Sequence, residues 1–411
     1  MIGFIKGILR DKDYDNITVE CGGVGFNIMV TNSCMSNLPG LDEEVKIYTY
    51  LHVREDEMSL YGFESPEEKK LFLQLISVSG VGSKTAIGIL SAERMSAIIN
   101  SIINEDTSVI ANCKGIGKKT AERIILELKD KIYQVCKDIN DVDGYRRHLQ
   151  SIGSLGGGNH FIEINKDKDG YIWLSVHCGS RNFGKKICEY HQNKAIKLYQ
   201  KRKDEKREYM LSQIEPKDRQ EWIRNHIDSE KLPEDLRYLD GEDLDLYVEH
   251  MKVAEEFATV NHKVIVDEIC SHMNWTVVDS IFTHHNYIEF LGNREMIIRK
   301  GSISAKKDER VIIPLNMKDG SIIGVGKGNS QWNESAPHGA GRVLSRGKAK
   351  EILSVDEFQD KMKDVWSSCI SENTLDESPM AYKDMNVIID SIGETVDIID
   401  RIIPIYNYKA N

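Results

Sequence analysis

The first 64 residues alternate apolar and polar positions in short runs separated by turn signals. "MIGFIKGILR", "NITVECG", "GFNIMVT", "EVKIYTYLHVRE" and "MSLYGF" are rich in β-branched and aromatic residues. Successive side chains of a strand point to opposite faces, so this alternation marks half-buried strands. Five of them with close turns predict a small closed barrel over residues 1–64. From Ser65 the period lengthens. "SPEEKKLFLQLISV" offers a Ser cap, Pro in the first turn, early glutamates and then an apolar helical face,. Residues 65–135 read as short helices joined by glycine-containing turns.

After a junction at 136–145 the pattern changes again. "GYIWLSVHCGSRNFGKKICEYHQNKAIKLYQ", residues 170–200, reads as a strand, a Gly-Ser-Arg turn and a helix,. Residues 200–250 are dense in charge ("KRKDEKREYM", "PEDLRYLDGEDLDLYVEH") and predict a solvated helical arm,. "MKVAEEFATVNHKVIVDEIC" predicts an amphipathic helix from Met251, and "DSIFTHHNYIEF", "MIIRKGSISA", "RVIIPLNM" and "SIIGVGKGN" predict strands and loops. The expected fold class is multidomain α+β: an OB-type barrel, a helical domain, and an α+β domain over 146–411.

Length and composition narrow the function classes. A chain of 411 residues has room for two or three domains, and 40% hydrophobic with 29% charged residues is ordinary for a globular protein,. A net charge of −11 argues against indiscriminate coating of nucleic acid, while leaving room for local basic loops,. The eight scattered cysteines form no CxxC pair, which favours reduced thiols and a cytoplasmic location,. No apolar run approaches a membrane span, and "MIGFIKGILRDKD" lacks the form of a signal peptide, so no membrane partner is expected,.

Two turns carry candidate chemistry. "VSGVGSKTAIGIL" (78–90) and "CKGIGKKTAERIIL" (113–126) share Gly-x-Gly, a following Lys-Thr and an apolar helix. Such hairpins turn backbone N–H groups towards a phosphate, with lysines adding charge. The candidate DNA contacts are Gly80, Gly82, Lys84, Gly115, Gly117, Lys118 and Lys119. One copy could simply end a helix; two copies favour phosphate binding. With "HVREDEMSLYGF", these motifs make residues 1 to about 135 resemble RuvA, the bacterial Holliday junction family. The resemblance implies an OB-type barrel (1–64), a tandem helix-hairpin-helix domain (65–135) and an acidic pin at Glu55 and Asp56. It further implies a homotetramer on four-way junction DNA, with no chemistry of its own. The family's third domain, which recruits the motor RuvB, is not visible, so RuvB recruitment is not expected.

The second half raises a different question. "SLGGGNHFIEI", residues 154–164, places His160 among glycines that let backbone approach a phosphate,. Alone, each of His160, His177, His285 and His338 reads more simply as a structural histidine. Together, "GGGNH", "VHCGSR", "HHNY", "RKGSISA", "PHGAGR", "GAGRVLSR" and "PMAYKD" make the stretch from about Arg146 onward resemble RtcB, the GTP-dependent RNA ligases. The resemblance implies the joining of a 3′-phosphate or 2′,3′-cyclic phosphate RNA end to a 5′-hydroxyl end. It places the histidine–GMP intermediate at His338 and manganese ligands at His160, His177 and His285, for two Mn²⁺. It places GTP contacts at Asn159, His160, Phe161, Ile162, Glu163, His285, Asn286, Pro314, Leu315, Asn316, Met317, Ser321, His338, Gly339, Ala340, Gly341 and Lys409. The turn Pro314–Met317 departs from the family's frequent Pro-Gly-Ser-Met. His284 is expected to face away from the site, and Cys178 and Cys188 to be small buried residues.

One implied piece is missing. The family carries an Asp-x-Gly-Cys-type motif N-terminal to "GGGNH", whose Cys bridges both metals and whose Asp completes one shell. No such motif occurs upstream of residue 154. In "VECGGVG", Glu20 and Cys21 are adjacent and lie in a predicted barrel strand, so neither is taken as a ligand. Three neutral imidazoles leave two divalent ions without protein anions, and the chain is expected to be a poor ligase. Two rival readings stand beside the ligase fusion. In one, a non-enzymatic junction-binding protein carries a degenerate C-terminal domain. In the other, the join is an accident of rearrangement.

Overall fold

A computed structural model of the chain describes residues 2–53, 58–78, 80–93, 97–98, 101, 106–113, 130–226, 232–292 and 295–409. Strands β1 (Phe4–Lys12), β2 (Asn16–Cys21), β3 (Val24–Val30), β4 (Glu44–Val53) and β5 (Met58–Phe63) close into a barrel in the order β1-β2-β3-β5-β4. The predicted alternation fills it. Ile5 and Leu9 of β1, Ile17 and Val19 of β2, Ile28 and Val30 of β3, and Val45 and Ile47 of β4 form one buried cluster,. The β3–β5 pair is parallel and the others antiparallel. A parallel pair needs a crossover, and here it runs through β4 and a short helix, Asn32–Ser36, that alternation did not predict,.

The helix Pro66–Ser77 starts as the sequence predicts, with the Ser65 side chain accepting from Glu68 N,. Glu68 also turns back to the barrel, accepting from Thr31 Oγ1 at 2.7 Å and Glu64 N at 3.0 Å. Burial raises its carboxyl above the usual range, and those two hydrogen bonds oppose the rise,. Helices Ser83–Ala92 and Thr107–Ala111 follow; Phe72, Leu75, Ile87, Leu90 and Ile110 share their core.

Ten more strands follow: β6 (Phe161–Lys166), β7 (Ile172–His177), β8 (Asn286–Gly292), β9 (Glu295–Lys300), β10 (Ser302–Ser304), β11 (Arg310–Asn316), β12 (Gly320–Gly326), β13 (Ser335–Pro337), β14 (Trp366–Ser367) and β15 (Val396–Lys409). A six-stranded sheet runs β11-β12-β15-β6-β7, with β14 also paired to β15. The first half of β15 pairs with β12 and the second with β6, which puts the last described residues in mid-sheet. Strands β8–β9 and β10–β13 form two separate ribbons.

The chain divides into two compact units. One comprises Met1–Lys131, Leu149–Gly179 and Thr259–Asn411; the other comprises Ile132–His148 and Ser180–Ala258. In the second unit, helix Arg181–Ser212 buries Phe183, Ile187, His191 and Ala195 at four-residue spacing and nothing beyond them,. Cys188 follows Ile187 off this stripe and is exposed, contrary to expectation, whereas Cys178 is buried. The helix expected from Met251 begins at Gly241, because acidic Glu242 and Asp243 suit its first turn,. No described helix is long and apolar enough to cross a membrane.

Candidate nucleotide site

Strand pairing builds one polar face. Phe161 pairs with His177 on one side and Lys409 on the other; Glu163 pairs with Ser175 and Asn407. Paired residues share a face, so two rows cross the sheet: His177–Phe161–Lys409 and Ser175–Glu163–Asn407. The Phe161 and His177 rings stack at 5.5 Å, and Lys409 Nζ lies 5.2 Å from the Phe161 centroid,. Asn407 Nδ2 donates to Glu163 Oε1 at 2.5 Å, while Glu163 Oε2 is buried with no hydrogen-bond partner among the described residues. Burial pushes the Glu163 carboxyl up to about 7 against the opposing pull of Lys409 and Asn407,.

The loops bring four imidazoles together. His160 and His177 have ring centroids 5.6 Å apart, His177 and His285 stack at 5.2 Å, and His285 and His338 stack at 4.6 Å. Gly156 and Gly158, at φ +83° and +86°, give the loop before His160 a left-handed path that other residues rarely take,. The loops are also tied together: Gly301 N donates to His285 O at 3.0 Å, and His338 N donates to Gly301 O at 3.3 Å. Burial, then the neighbouring His285, holds His177 well below the usual imidazole range. Burial and His338 push His285 down to about 4. His285 Nδ1 is buried with no hydrogen-bond partner among the described residues.

Other predicted residues fall into place unevenly. Asn159 Nδ2 lies 3.3 Å from His177 Nε2, and the Asn286 side chain accepts from Gly301 N at 3.2 Å. Ile162 is half-buried on the opposite face from Phe161. At the departing turn, Leu315 and Met317 pack into two hydrophobic clusters. Asn316 accepts from Lys318 N and Asp319 N within its own turn, and the Pro314 carbonyl accepts from Ala340 N at 3.1 Å. Gly339 lies against the same carbonyl, and Gly341 O accepts from Lys383 N. Ser321 is fully buried, its hydroxyl without a partner among the described residues. His284 packs on Phe282 and Tyr287, and burial pushes it down to about 4.

Sequence reading missed Asn261. It is fully buried; Oδ1 accepts from Gly153 N at 2.8 Å and Ser154 N at 3.2 Å, while Nδ2 donates to Gly179 O at 3.0 Å. It thus clamps the loop before His160 to the end of β7. Its neighbour His262 accepts from Cys178 N at 3.2 Å. The available signal was a polar Asn-His pair inside an amphipathic helix pattern.

The implied manganese centre does not fit this donor set. The groups brought together are imidazoles, whose lone pairs lie in their ring planes. The His177–His285 and His285–His338 planes lie 14° and 29° apart, which directs those lone pairs side by side, while His160 is tilted 55° from His177,. No group of three or more His, Cys, Asp or Glu side chains converges on a metal position among the described residues. The nucleotide part fits better: Glu163 Oε2 is a buried polar atom without a hydrogen-bond partner among the described residues, and Lys409 lies close enough to act on its carboxyl,.

Of the DNA candidates, Gly80 (φ +89°) and Gly82 form the turn into helix Ser83–Ala92, which carries Lys84 in its first turn. A Cβ at either glycine would meet open space. Glu55, Asp56, Gly115, Gly117, Lys118 and Lys119 lie outside the described residues.

Compared with known proteins, the chain matches the family model for the tRNA-splicing ligase RtcB over residues 12–410. It is also similar to the Holliday junction branch migration complex subunit RuvA of Acetivibrio thermocellus. The two are 49% identical over 132 residues, which is 32% of this chain and 65% of that protein. The RuvA subunit of Clostridium tetani is 40% identical over 165 residues, 38% of this chain and 84% of that protein. That of Francisella tularensis subsp. mediasiatica is 41% identical over 139 residues, 34% of this chain and 64% of that protein. The chain spans a little under two thirds of the first and third of these relatives.

Proposed function

This chain belongs to the RtcB family of tRNA-splicing ligases and joins to it a RuvA-like stretch of about a third of its length, and from that premise we propose that it pairs a guanine-nucleotide-binding, RNA-ligase-type domain with a module for branched DNA. The observation that carries the nucleotide reading is the buried Glu163 Oε2, without a hydrogen-bond partner among the described residues, on the sheet face that also carries Lys409. Such atoms cost free energy unless a polar ligand meets them. A purine with N–H donors would satisfy the carboxylate, and Lys409 adds a fixed positive charge. His338, on a loop held to Gly301 and Pro314, is the proposed acceptor of guanylate. RNA ends are the proposed substrates, and GTP the proposed nucleotide.

The same geometry limits the chemistry. Guanylate transfer to an imidazole needs developing charge on the phosphates to be neutralised. Among the described residues no group of three or more His, Cys, Asp or Glu side chains gathers to hold divalent ions for that purpose. The proposed activity of this chain alone is therefore nucleotide binding with weak guanylylation and weak RNA joining. The test uses GTP labelled at its α-phosphate with Mn²⁺, alongside equilibrium binding of GTP. Binding with labelling near background is expected. Robust label on His338 would overturn the limit, and absence of GTP binding would overturn the nucleotide reading.

For the N-terminal part, the Gly80–Lys84 turn supports phosphate contact, and a four-way DNA junction is the proposed ligand. In gel shifts with four-way and linear duplex DNA, preference for the linear duplex would count against it.

A further inference from the structure

Glu377 is an acid that the nucleotide reading leaves unused. It is 2% exposed, in the short helical segment Glu372–Glu377. Its two carboxylate oxygens serve partners from different parts of the chain. Oε2 accepts from Lys409 Nζ and from Tyr382 OH, each at 2.7 Å. Oε1 accepts from Arg342 at 2.5 Å, with Arg346 at 3.5 Å. Lys409 closes the His177–Phe161–Lys409 row. Arg342 directly follows the loop His338–Gly341. Backbone contacts strengthen that link: Arg342 donates to Asp376 O at 2.5 Å, Val343 N to Ala381 O at 2.9 Å, and Lys383 N to Gly341 O at 3.1 Å. One carboxylate thus holds both the C-terminal lysine and the segment that carries His338.

Cations outnumber acids around it: Glu377 and Asp376 face Lys409, Arg342, Arg346 and Lys350. Asp376, also buried, pairs with Arg346 at 3.1 Å and Lys350 at 3.4 Å, while Glu377 holds Lys409 and Arg342 more closely than it holds Arg346. Buried ion clusters of this kind contribute little net stability compared with apolar packing of the same volume. What they do supply is geometry. A lysine head on four methylenes has many rotamers, and a two-point acceptor with its own orientation fixed by Tyr382 and Arg342 selects one.

We propose that Glu377 is the positioning residue of the nucleotide site, setting the Lys409 ammonium over Phe161 and, through Arg342, anchoring the loop of His338. This rests on the guanine-nucleotide reading above. A guanine nucleotide would then meet a lysine and a histidine whose separation is set by one acid rather than by two independent loops.

Two measurements on the full chain separate the proposal from the reading beneath it. The first is the rate of acetylation of Lys409 by acetic anhydride, read by mass spectrometry against the exposed Lys348. It needs no nucleotide. The second is the affinity for a fluorescent GTP analogue. In the parent chain, Lys409 should react at least about tenfold more slowly than Lys348. Glu377→Gln should remove most of that protection and weaken the analogue by about tenfold or more, since one partner of a buried charge pair is lost. Tyr382→Phe, which keeps the ion pair, should give a smaller change in both and serves if Glu377→Gln does not fold. Equal reactivity of Lys409 and Lys348 in the parent would overturn the proposal. So would analogue affinity in a folded Glu377→Gln within about twofold of the parent. Protected Lys409 in a parent that binds no analogue would overturn the nucleotide reading, and with it the role of Glu377 there.

Discussion

The rings of His285 and His338 stack with centroids 4.6 Å apart and planes 29° apart. His285 immediately precedes β8 and His338 immediately follows β13, so two separate ribbons deliver them to one place. Gly301, between those ribbons, bonds to both through its backbone. The stack extends through His177, as a column of three imidazoles.

Metal removal should therefore matter little to folding. A bound ion that favoured the native state would raise the melting temperature by mass action. With imidazoles stacked rather than converging, treatment with a chelator is expected to move the thermal midpoint by no more than about 1 °C. A fall of several degrees, reversed by Mn²⁺, would show that these rings do close on an ion.

Glu163→Gln is expected to stabilise the chain at neutral pH while weakening GTP. The folded carboxyl titrates at about 7 because it is buried, whereas in an unfolded chain it ionises near 4.5. The native state therefore binds more protons between those values, and stability is lost as pH rises from about 4.5 to about 7. Glutamine can still accept from Asn407 Nδ2 and has no charge to desolvate. A gain of roughly 2 kcal/mol at pH 7.5 is expected, checked by urea unfolding across this range. A variant that is less stable at pH 7.5 would count against the buried-carboxyl account.

Acid should loosen the helical unit. His191 Nε2 lies 3.0 Å from His250 Nδ1, and His250 Nε2 lies 3.3 Å from Asp138 Oδ2. Burial first, then His250 and Lys194, push His191 down to about 4, with Asp243 opposing. Unfolding releases this imidazole to protonate near pH 6.5. Its contribution is complete above that value and is lost as pH falls towards 4. The thermal midpoint should drop by about 3 °C or more between pH 7 and pH 5, and His191→Asn should flatten that slope. An unchanged slope in the variant would assign the acid sensitivity elsewhere.

Gly320→Ala should disturb both stability and site. Gly320 has φ +75°, and a Cβ there would lie 2.0 Å from the Ile402 carbonyl oxygen and 2.8 Å from the Pro404 ring. Those are backbone and ring atoms at the β12–β15 pairing, so the strands must separate. A loss on the order of 3 kcal/mol is expected, and Ser321 would move with its neighbour, so GTP affinity should fall too. Chemical denaturation of both proteins measures it, and a loss below about 0.5 kcal/mol would contradict the close approach.

The sequence by itself determined the local elements and the chemistry available to them. Alternation at Ile17, Val19, Ile28 and Val30 specified inward-facing strands, because side-chain direction in a strand follows from backbone geometry alone. Ser65 and Pro66 specified a helix start, because capping is a local bond. The histidine motifs carried the resemblance that implies a nucleotide site, and no Asp-x-Gly-Cys-type motif occurs upstream of residue 154. Tertiary structure decided the rest. A two-residue period is the same whichever strand becomes its neighbour, so nothing local in β15 says that Asn407 will meet Glu163 or that Lys409 will close a row with Phe161 and His177. Asn261 was hidden because a buried polar residue looks like any other polar residue in a helix until its partners arrive. Glu377 was hidden for the same reason: its role depends on a lysine and an arginine that only the folded chain brings to one carboxylate.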